Sequence, residues 1–435
     1  MRTFRKLPTT SPKRNAASRR RTSGSPSGAI PHGLSCHIPK ASCMVAPGFV
    51  KPMRILQVCS AMGMGGGELH VADLVAGLHE RGHEVHLAVR RGSPLPERVS
   101  AHVAATHVLP LRNSLDGVSA YRLSRLLRAH AIEIVHAHLG RDYLPTILAA
   151  MWAGSARAIV TRHHYLPLKR NPVYRAILRR ADRIIAVSEF VRRTLLGLGL
   201  PEAQVVTIPN WVRREDLMPL PERSEARARL GLTRPLVITT VGHLAPAKGQ
   251  EEFVRAAHLL RRWRDDCEFV IVGAASPKHR AFEARLRRLV GELDLQARVR
   301  FLGHVEDLRS VWAASDLFVL PSQGEGFSLA LIQAMAAGVP VVAFAAGGPA
   351  EIIVHGETGF LIPPGDVAAL ADRVRELLED PALRARLAQA AREAVRRRFD
   401  REQILRRIES VYEAALQRAT PSCARRSGAQ EEAYG

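Results

Sequence analysis

From Met53 onward, short runs rich in Val, Ile and Leu alternate with longer stretches in which apolar residues recur every three or four positions. The short runs predict strands at 54–59, 84–89, 107–111, 132–138, 157–162, 183–188 and 204–209. Their apolar character is mostly continuous rather than alternating, which is expected of strands buried on both faces of a parallel sheet covered by helices. Between several of them lie helical stretches such as 68–81 and 119–130; the first ends in Arg81-Gly82, a C-terminal cation followed by a glycine stop. The alternation lapses at Asn210-Trp211 and the MPLPERSEARARLGL stretch, then restarts with strands predicted at 236–242, 267–273, 298–303, 316–322, 340–346 and 358–363. Helices are expected over 249–263, 279–292, 306–314, 328–337, 349–354, 366–379 and 382–418, with Pro349 at a favoured first helical position.

This pattern predicts an α/β protein of two doubly wound, Rossmann-like domains facing a central cleft. The expected divisions are a disordered basic extension (1–52), an N-terminal domain (53–212), a linker (213–232) and a C-terminal domain (233–395). A C-terminal helix (396–418) is expected to pack back on the N-terminal domain, followed by a tail (419–435). Ligands of such sheets sit at the carboxyl ends of the strands.

Composition changes the picture in one respect. The chain of 435 residues carries a net charge of +22, and its first 52 residues hold ten Lys or Arg and no Asp or Glu. That segment is rich in Ser, Pro, Thr and Gly, so it reads as disordered. It fits either an organelle transit peptide or an extension ahead of a natural start at Met53. The five cysteines are scattered without metal-ligand spacing, as expected in a reducing compartment. No apolar run of about 18 residues is present to span a bilayer. Aromatic residues make up only 5% of the chain, and most basic residues fall on predicted helices, which argues against a nucleic-acid stacking platform.

Four constellations carry candidate chemistry. The Gly63-Met64-Gly65-Gly66-Gly67-Glu68 loop joins the first strand to the first helix, where free N–H groups favour an anion. It makes a poor NAD fingerprint, because Glu68 takes the place of the third glycine and Arg90-Arg91 the place of the acidic residue; an NADP site and a plain tight turn without ligand are the alternatives. In GHLAPAKGQ, Lys248 stands beside a helix start, placed for a phosphate or else simply solvated. In PSQGEGFSLALIQ, Glu325 precedes a helix whose first N–H groups, on Gly326, Phe327 and Ser328, lack helical acceptors. Sugar hydroxyls can donate to the carboxylate and accept from those N–H groups. Gln333, on the same helix, either faces the same cleft or packs against a neighbour. Finally, His136 and His138 end one strand and His163 and His164 end the next, which favours a polar cleft floor over core packing. No D-x-D sequence for a nucleotide-bound metal occurs, nor a G-x-S-x-G elbow, so positive charge is left to handle phosphate.

Taken together, GGGELHVADLVAGLHERGHEVHLAV, IVHAH, ADRIIAVSEFVRRTL, VVTIPN, VGHLAPAKGQEEFVRAA, DLFVLPS, EGFSLALIQAMAAGVPVVAFAAGGPAEII and GETGFLIPPGD resemble glycosyltransferase family 4 in order and spacing. The resemblance runs from Met53 to about 418. It implies retaining, nucleotide-sugar-dependent transfer on the two-domain GT-B fold. It also implies site roles: Glu325 holding donor-sugar hydroxyls, Lys248 neutralising the diphosphate, Gly66 and Gly67 admitting phosphate and sugar, His138 beside the anomeric carbon, and Gly347, Gly348 and Glu351 in the donor wall. His136, His163 and His164 are placed on the acceptor side. Three departures stand out. Gln333 replaces a glutamate that grips the ribose, so the charge-assisted part of that grip is lost. His243 replaces an arginine beside Lys248 and supplies charge only if protonated, which a diphosphate would favour. Trp211 replaces a glycine and is expected to add an aromatic surface at the hinge.

The implied reaction is a front-face displacement without protein nucleophile, cofactor or metal. Expected partners are a UDP- or GDP-sugar and a glycan or lipid-linked acceptor of envelope polysaccharide or glycolipid synthesis, and not nucleic acid. A cytoplasmic location is expected. The basic stretches 121–128 and 168–180 suggest contact with an anionic membrane face, an ordinary solvated surface being the alternative. A catalytically weak nucleotide-sugar-binding or scaffold protein is the rival reading.

Overall fold

The computed structural model describes residues 51–165, 171–213 and 217–417. The basic extension up to residue 50, the start of the 168–180 stretch and the 419–435 tail lie outside the described residues.

Thirteen described strands form two sheets in which all neighbouring strands are parallel. The first comprises β1 (Arg54–Cys59), β2 (Glu84–Arg90), β3 (Ala105–Leu109), β4 (Ile134–Ala137), β5 (Arg157–Arg162), β6 (Arg183–Ala186) and β7 (Val205–Thr207), in the order β3-β2-β1-β4-β5-β6-β7. The second comprises β8 (Leu236–Val241), β9 (Cys267–Val272), β10 (Val299–Gly303), β11 (Leu317–Leu320), β12 (Val341–Phe344) and β13 (Phe360–Ile362), in the order β10-β9-β8-β11-β12-β13. Each order reverses at its first strand, between β1 and β4 and between β8 and β11, which is where a doubly wound sheet opens a binding crevice. The central strands β4 and β11 are buried at every residue, as helices on both faces require, whereas edge strand β3 alternates. His138 lies one residue beyond β4, at the carboxyl end.

Each sheet has its own core on one side, and a third buried cluster joins the two halves. It runs from Ile55 and Leu74 through Trp211 to Leu331, Ile404 and Tyr412. The segment expected as one helix over 382–418 is two, Pro381–Arg398 and Arg401–Leu416. The break has a local cause: the Asp400 carboxylate accepts a hydrogen bond from Gln403 N at 2.9 Å and caps the second helix. Phe399, in the break, lies edge-on to Phe327 at 5.4 Å. The expected linker also contains structure. Helix Arg223–Arg229 is tied to the C-terminal domain by Arg223 and Arg227, which reach the two Asp316 carboxylate oxygens at 2.6 Å each.

Helix Arg401–Leu416 docks on the N-terminal domain. Arg401 reaches Asp73 at 3.2 Å and Glu80 at 2.7 Å, and fully buried Tyr412 inserts beside Gln57 and His136. Glu409 accepts from Arg81 at 2.6 and 2.8 Å and lies 3.0 Å from His83 Nε2. Burial alone raises the Glu409 carboxyl, but the hydrogen bonds from His83 and Arg81 outweigh it and hold it below the ordinary value of 4.5. Its contribution to stability is therefore present above pH 4.5 and is lost as pH falls through the depressed value. Replacing Glu409 with Gln is predicted to cost about 2 kcal/mol at pH 7, less than for a fully buried pair because Arg81 keeps a solvent face. Urea unfolding at pH 7 and at low pH checks this. The gap between wild type and variant should narrow in acid, and a gap independent of pH contradicts the assignment.

Candidate active site

Glu325 occupies the turn after β11 and is only 7% exposed. Lys248 Nζ donates to its Oε1 at 2.6 Å, and Ser322 Oγ donates to the same oxygen at 2.9 Å. Backbone contacts set the path of the turn: Glu325 N donates to Ala346 O at 3.1 Å, and Gly348 N to Glu325 O at 2.9 Å. The loop before Glu325 is pressed just as closely on Gly249, the residue after Lys248. Gly249 has φ +71°, and a Cβ there would lie 1.8 Å from Pro321 O, so only glycine lets the Lys248 turn lie against this loop. The N–H groups of Gly326, Phe327 and Ser328 have no partner among the described residues, and helix Leu329–Ala337 follows directly. Gln333 lies half-buried on that helix with no hydrogen bond to a described residue.

The N-terminal domain supplies the facing wall. Helix Gly66–Glu80 starts there, with Glu68 accepting from Gly65 N at 2.9 Å. A Cβ on Gly65 would stand 3.0 Å from His243 Nε2, and one on Gly66 would stand 3.4 Å from Leu329 Cδ1. A Cβ on Gly67 would meet nothing within 4 Å. The glycine loop thus confronts His243 and the start of the Leu329–Ala337 helix, and two helix N-termini bracket the Lys248–Glu325 pair. Free N–H groups and helix dipoles of this sense favour an anion. In the free protein His243 lies below its ordinary pKa because burial, then Lys248, disfavour its charge, against an opposing pull from Glu68. The imidazolium expected next to a diphosphate is therefore not the resting state.

The histidines separate into different roles. His136 is fully buried, with Nδ1 at 2.7 Å from Tyr412 Oη and Nε2 at 2.7 Å from Thr161 Oγ1. It is core, and the acceptor-side expectation for it is corrected: the closing helix covers its position. His138 is buried too, 2.8 Å from Gln57 Oε1 and 3.4 Å from His163 Nε2. His163 contributes its backbone: a Cβ on Gly326 would lie 2.2 Å from His163 O, so the two domains meet there main chain to main chain. His164 is exposed and lies within electrostatic reach of Lys248 and Glu325. His70, not singled out by its sequence context, packs its ring 5.0 Å from His163 and 4.4 Å from Trp211. Burial lowers His70 and His136 to about 3.

Glu351, expected in the donor wall, is engaged elsewhere. Its carboxylate accepts from Glu189 N at 2.8 Å and Phe190 N at 2.6 Å, capping helix Glu189–Leu196 of the other domain. Gly347 and Gly348 do border the Glu325 turn. Trp211 is buried and donates to Asp73, so it forms no open aromatic surface. Asp142 was also missed. It accepts from Ser60 N at 2.9 Å, tying the end of β1 to the segment after β4, and burial raises it to about 6. Gln57 had a visible signal, a lone polar residue inside the apolar run RILQVC, whereas nothing local marks Tyr412.

Residues 64–216 match the family model described as Glycosyltransferase Family 4, and residues 222–394 match that described as Glycosyl transferases group 1. The phosphatidyl-myo-inositol mannosyltransferase of Mycobacterium leprae is 32% identical over 385 residues, covering 83% of this chain and 96% of that protein. The N-acetyl-alpha-D-glucosaminyl L-malate synthase of Bacillus anthracis is 26% identical over 366 residues, covering 80% and 94% respectively. Among solved structures, Anabaena HepE in complex with UDP-glucose is similar in fold, with a TM-score of 0.75 at 24% identity over 83% of this chain and 100% of that one.

Replacing Glu351 with Ala is predicted to leave Glu189 N and Phe190 N uncapped and to loosen the seam between the domains. Small-angle scattering should then report a larger radius of gyration with far-ultraviolet circular dichroism retained; an unchanged radius would contradict the role of this contact.

Proposed function

This chain belongs to glycosyltransferase family 4 and is a nucleotide-sugar-dependent glycosyltransferase, and on that premise we propose that it transfers a hexosyl or related sugar from a UDP- or GDP-sugar, with retention, to a glycan or lipid-linked acceptor. The acceptor belongs to envelope polysaccharide or glycolipid synthesis on this reading. The observation that carries it is the convergence of Lys248, Glu325 and the unpartnered N–H groups of 326–328 opposite the glycine loop of the other domain.

The donor diphosphate attracts Lys248 away from Glu325, and the released carboxylate accepts hydrogen bonds from sugar hydroxyls. The N–H groups of 326–328 supply donors that need no rearrangement. Gln333 accepts from a ribose hydroxyl through its amide oxygen, without the added strength of a charge. An anion beside His243 stabilises its protonated form, reversing the shift found in the free protein. In the chemical step the acceptor oxygen bonds to the anomeric carbon on the face the diphosphate leaves. The departing phosphate oxygen takes the acceptor proton. Lys248, protonated His243 and the helix N-termini stabilise its growing charge, so no bound metal is required.

Lys248→Ala is predicted to lower turnover at saturating donor by about 10²-fold. Screening UDP- and GDP-sugars by thermal shift identifies the donor, and radiolabel transfer in excess EDTA then measures turnover. Near wild-type turnover of the variant, or loss of wild-type turnover in EDTA, would overturn this mechanism.

No described helix is long and apolar enough to cross a membrane. Peripheral attachment is supported by the outer face of the N-terminal domain. Val118 and Tyr121 on helix Gly117–Ala129 and Met151 and Trp152 on the adjoining helix Tyr143–Ala153 are exposed, with Arg122 and Arg125 exposed beside them. Apolar anchors among cations suit an anionic bilayer. Sedimentation with anionic vesicles at moderate salt should retain the wild type and release the Tyr121→Ser/Trp152→Ser double variant. Equal recovery of both in the supernatant would refute the attachment.

A further inference from the structure

Tyr412 reaches into the N-terminal domain from the closing helix, and its hydroxyl meets Gln57 Nε2 at 3.4 Å and His136 Nδ1 at 2.7 Å. An amide NH2 only donates, so the Tyr412 oxygen accepts from Gln57 and its own proton goes to His136 Nδ1. His136 then bears its proton on Nε2, toward Thr161 Oγ1 at 2.7 Å. With its NH2 so engaged, Gln57 turns its carbonyl to His138 Nε2, 2.8 Å away. A carbonyl only accepts, so His138 carries its proton on Nε2 and a lone pair on Nδ1. That lone pair faces His163 Nε2 at 3.4 Å, which must donate. His163 Nδ1 is then an acceptor, shielded from solvent and without a partner among the described residues.

Burial holds His136, His138 and His163 below their ordinary pKa, so each ring carries one proton and the chain of bonds has a definite direction. The chain ends close to the Glu325 turn, because the His163 carbonyl abuts Gly326. We propose that Gln57 and Tyr412 are positioning residues that hold His138 and His163 in their Nε2–H forms, so that His163 Nδ1 is kept as an acceptor that a hydroxyl of a saccharide ligand reaches once binding displaces the packing that shields it. The inference rests on the transfer reading for the identity of that ligand, while the direction of the chain can be measured without it. Reversing the Gln57 amide would reverse every link and make His163 Nδ1 a donor, which suits a different partner atom.

The test combines proton-detected nitrogen NMR of the full chain, 15N-labelled at histidine, with transfer kinetics. Substitution of His138 and of His163 by Gln assigns the two rings. The wild type is expected to show both rings protonated at Nε2. Gln57→Leu should mix the His138 tautomers and lower kcat about tenfold with donor KM unchanged, well short of the roughly 10⁴-fold cost where the histidine is itself the base. Gln57→Glu, which keeps an acceptor at the same place, should restore the Nε2–H form. Tyr412→Phe removes a single hydroxyl and should act in the same direction as Gln57→Leu, which keeps the test available if the latter fails to fold. A wild-type His138 protonated at Nδ1 overturns the proposal, as does a loss of kcat in Gln57→Leu with the tautomer unchanged. If no donor is turned over, the transfer reading fails while the tautomer measurement still decides the direction of the chain.

Discussion

The main-chain contact between Gly326 and the His163 carbonyl is the constraint on which the rest of the cleft depends. With only 2.2 Å between that oxygen and any added Cβ, no side chain separates the two domains at this point. The same turn is closed on its other side by Gly347 and Gly348, whose backbone pairs with Glu325. Glu325 and the three free N–H groups that follow it are therefore held by backbone on both sides rather than by rotamers. Donors fixed in this way need little reorganisation when charge appears before them. Glu351 extends the seam by capping a helix of the opposite domain, so the position of the turn and the closure of the cleft are tied together.

Electrostatically the cleft is poised rather than charged. Lys248 is neutralised by Glu325, and the buried His136, His138 and His163 are held neutral by desolvation. A buried carboxylate without a partner would be costly, so the pair preserves both groups until a ligand competes for the ammonium. The large positive charge of the chain is carried elsewhere, on the N-terminal extension and on exposed helix faces. Selectivity in the cleft thus rests on a few directed groups, and its neutral polar network transmits orientation instead of charge.

Much of the architecture was legible in the run lengths. β1 and β5 fall where the apolar runs place them, and β4 is trimmed so that His138 emerges at its end. The break before Arg401 escaped because helical periodicity continues on both sides of it; the Asp400–Gln403 spacing was the available signal. Lys248 and Glu325 were legible as separate candidates from their glycine-flanked turns. His136 and Glu351 were misplaced because a strand end or a loop specifies which way a residue can point, not what the other domain puts in front of it.

Sequence alone determined the alternation of strands and helices and its division into two parallel-sheet halves, because burial periodicity and turn chemistry are local and tolerate shifts of a residue or two. Tertiary structure alone decided that Lys248 meets Glu325, that Glu351 caps a distant helix, and that Tyr412 reaches His136. Ion pairs and hydrogen bonds depend on distance and direction to within a fraction of an ångström, between groups that the chain brings together only when both domains and the closing helix are in place.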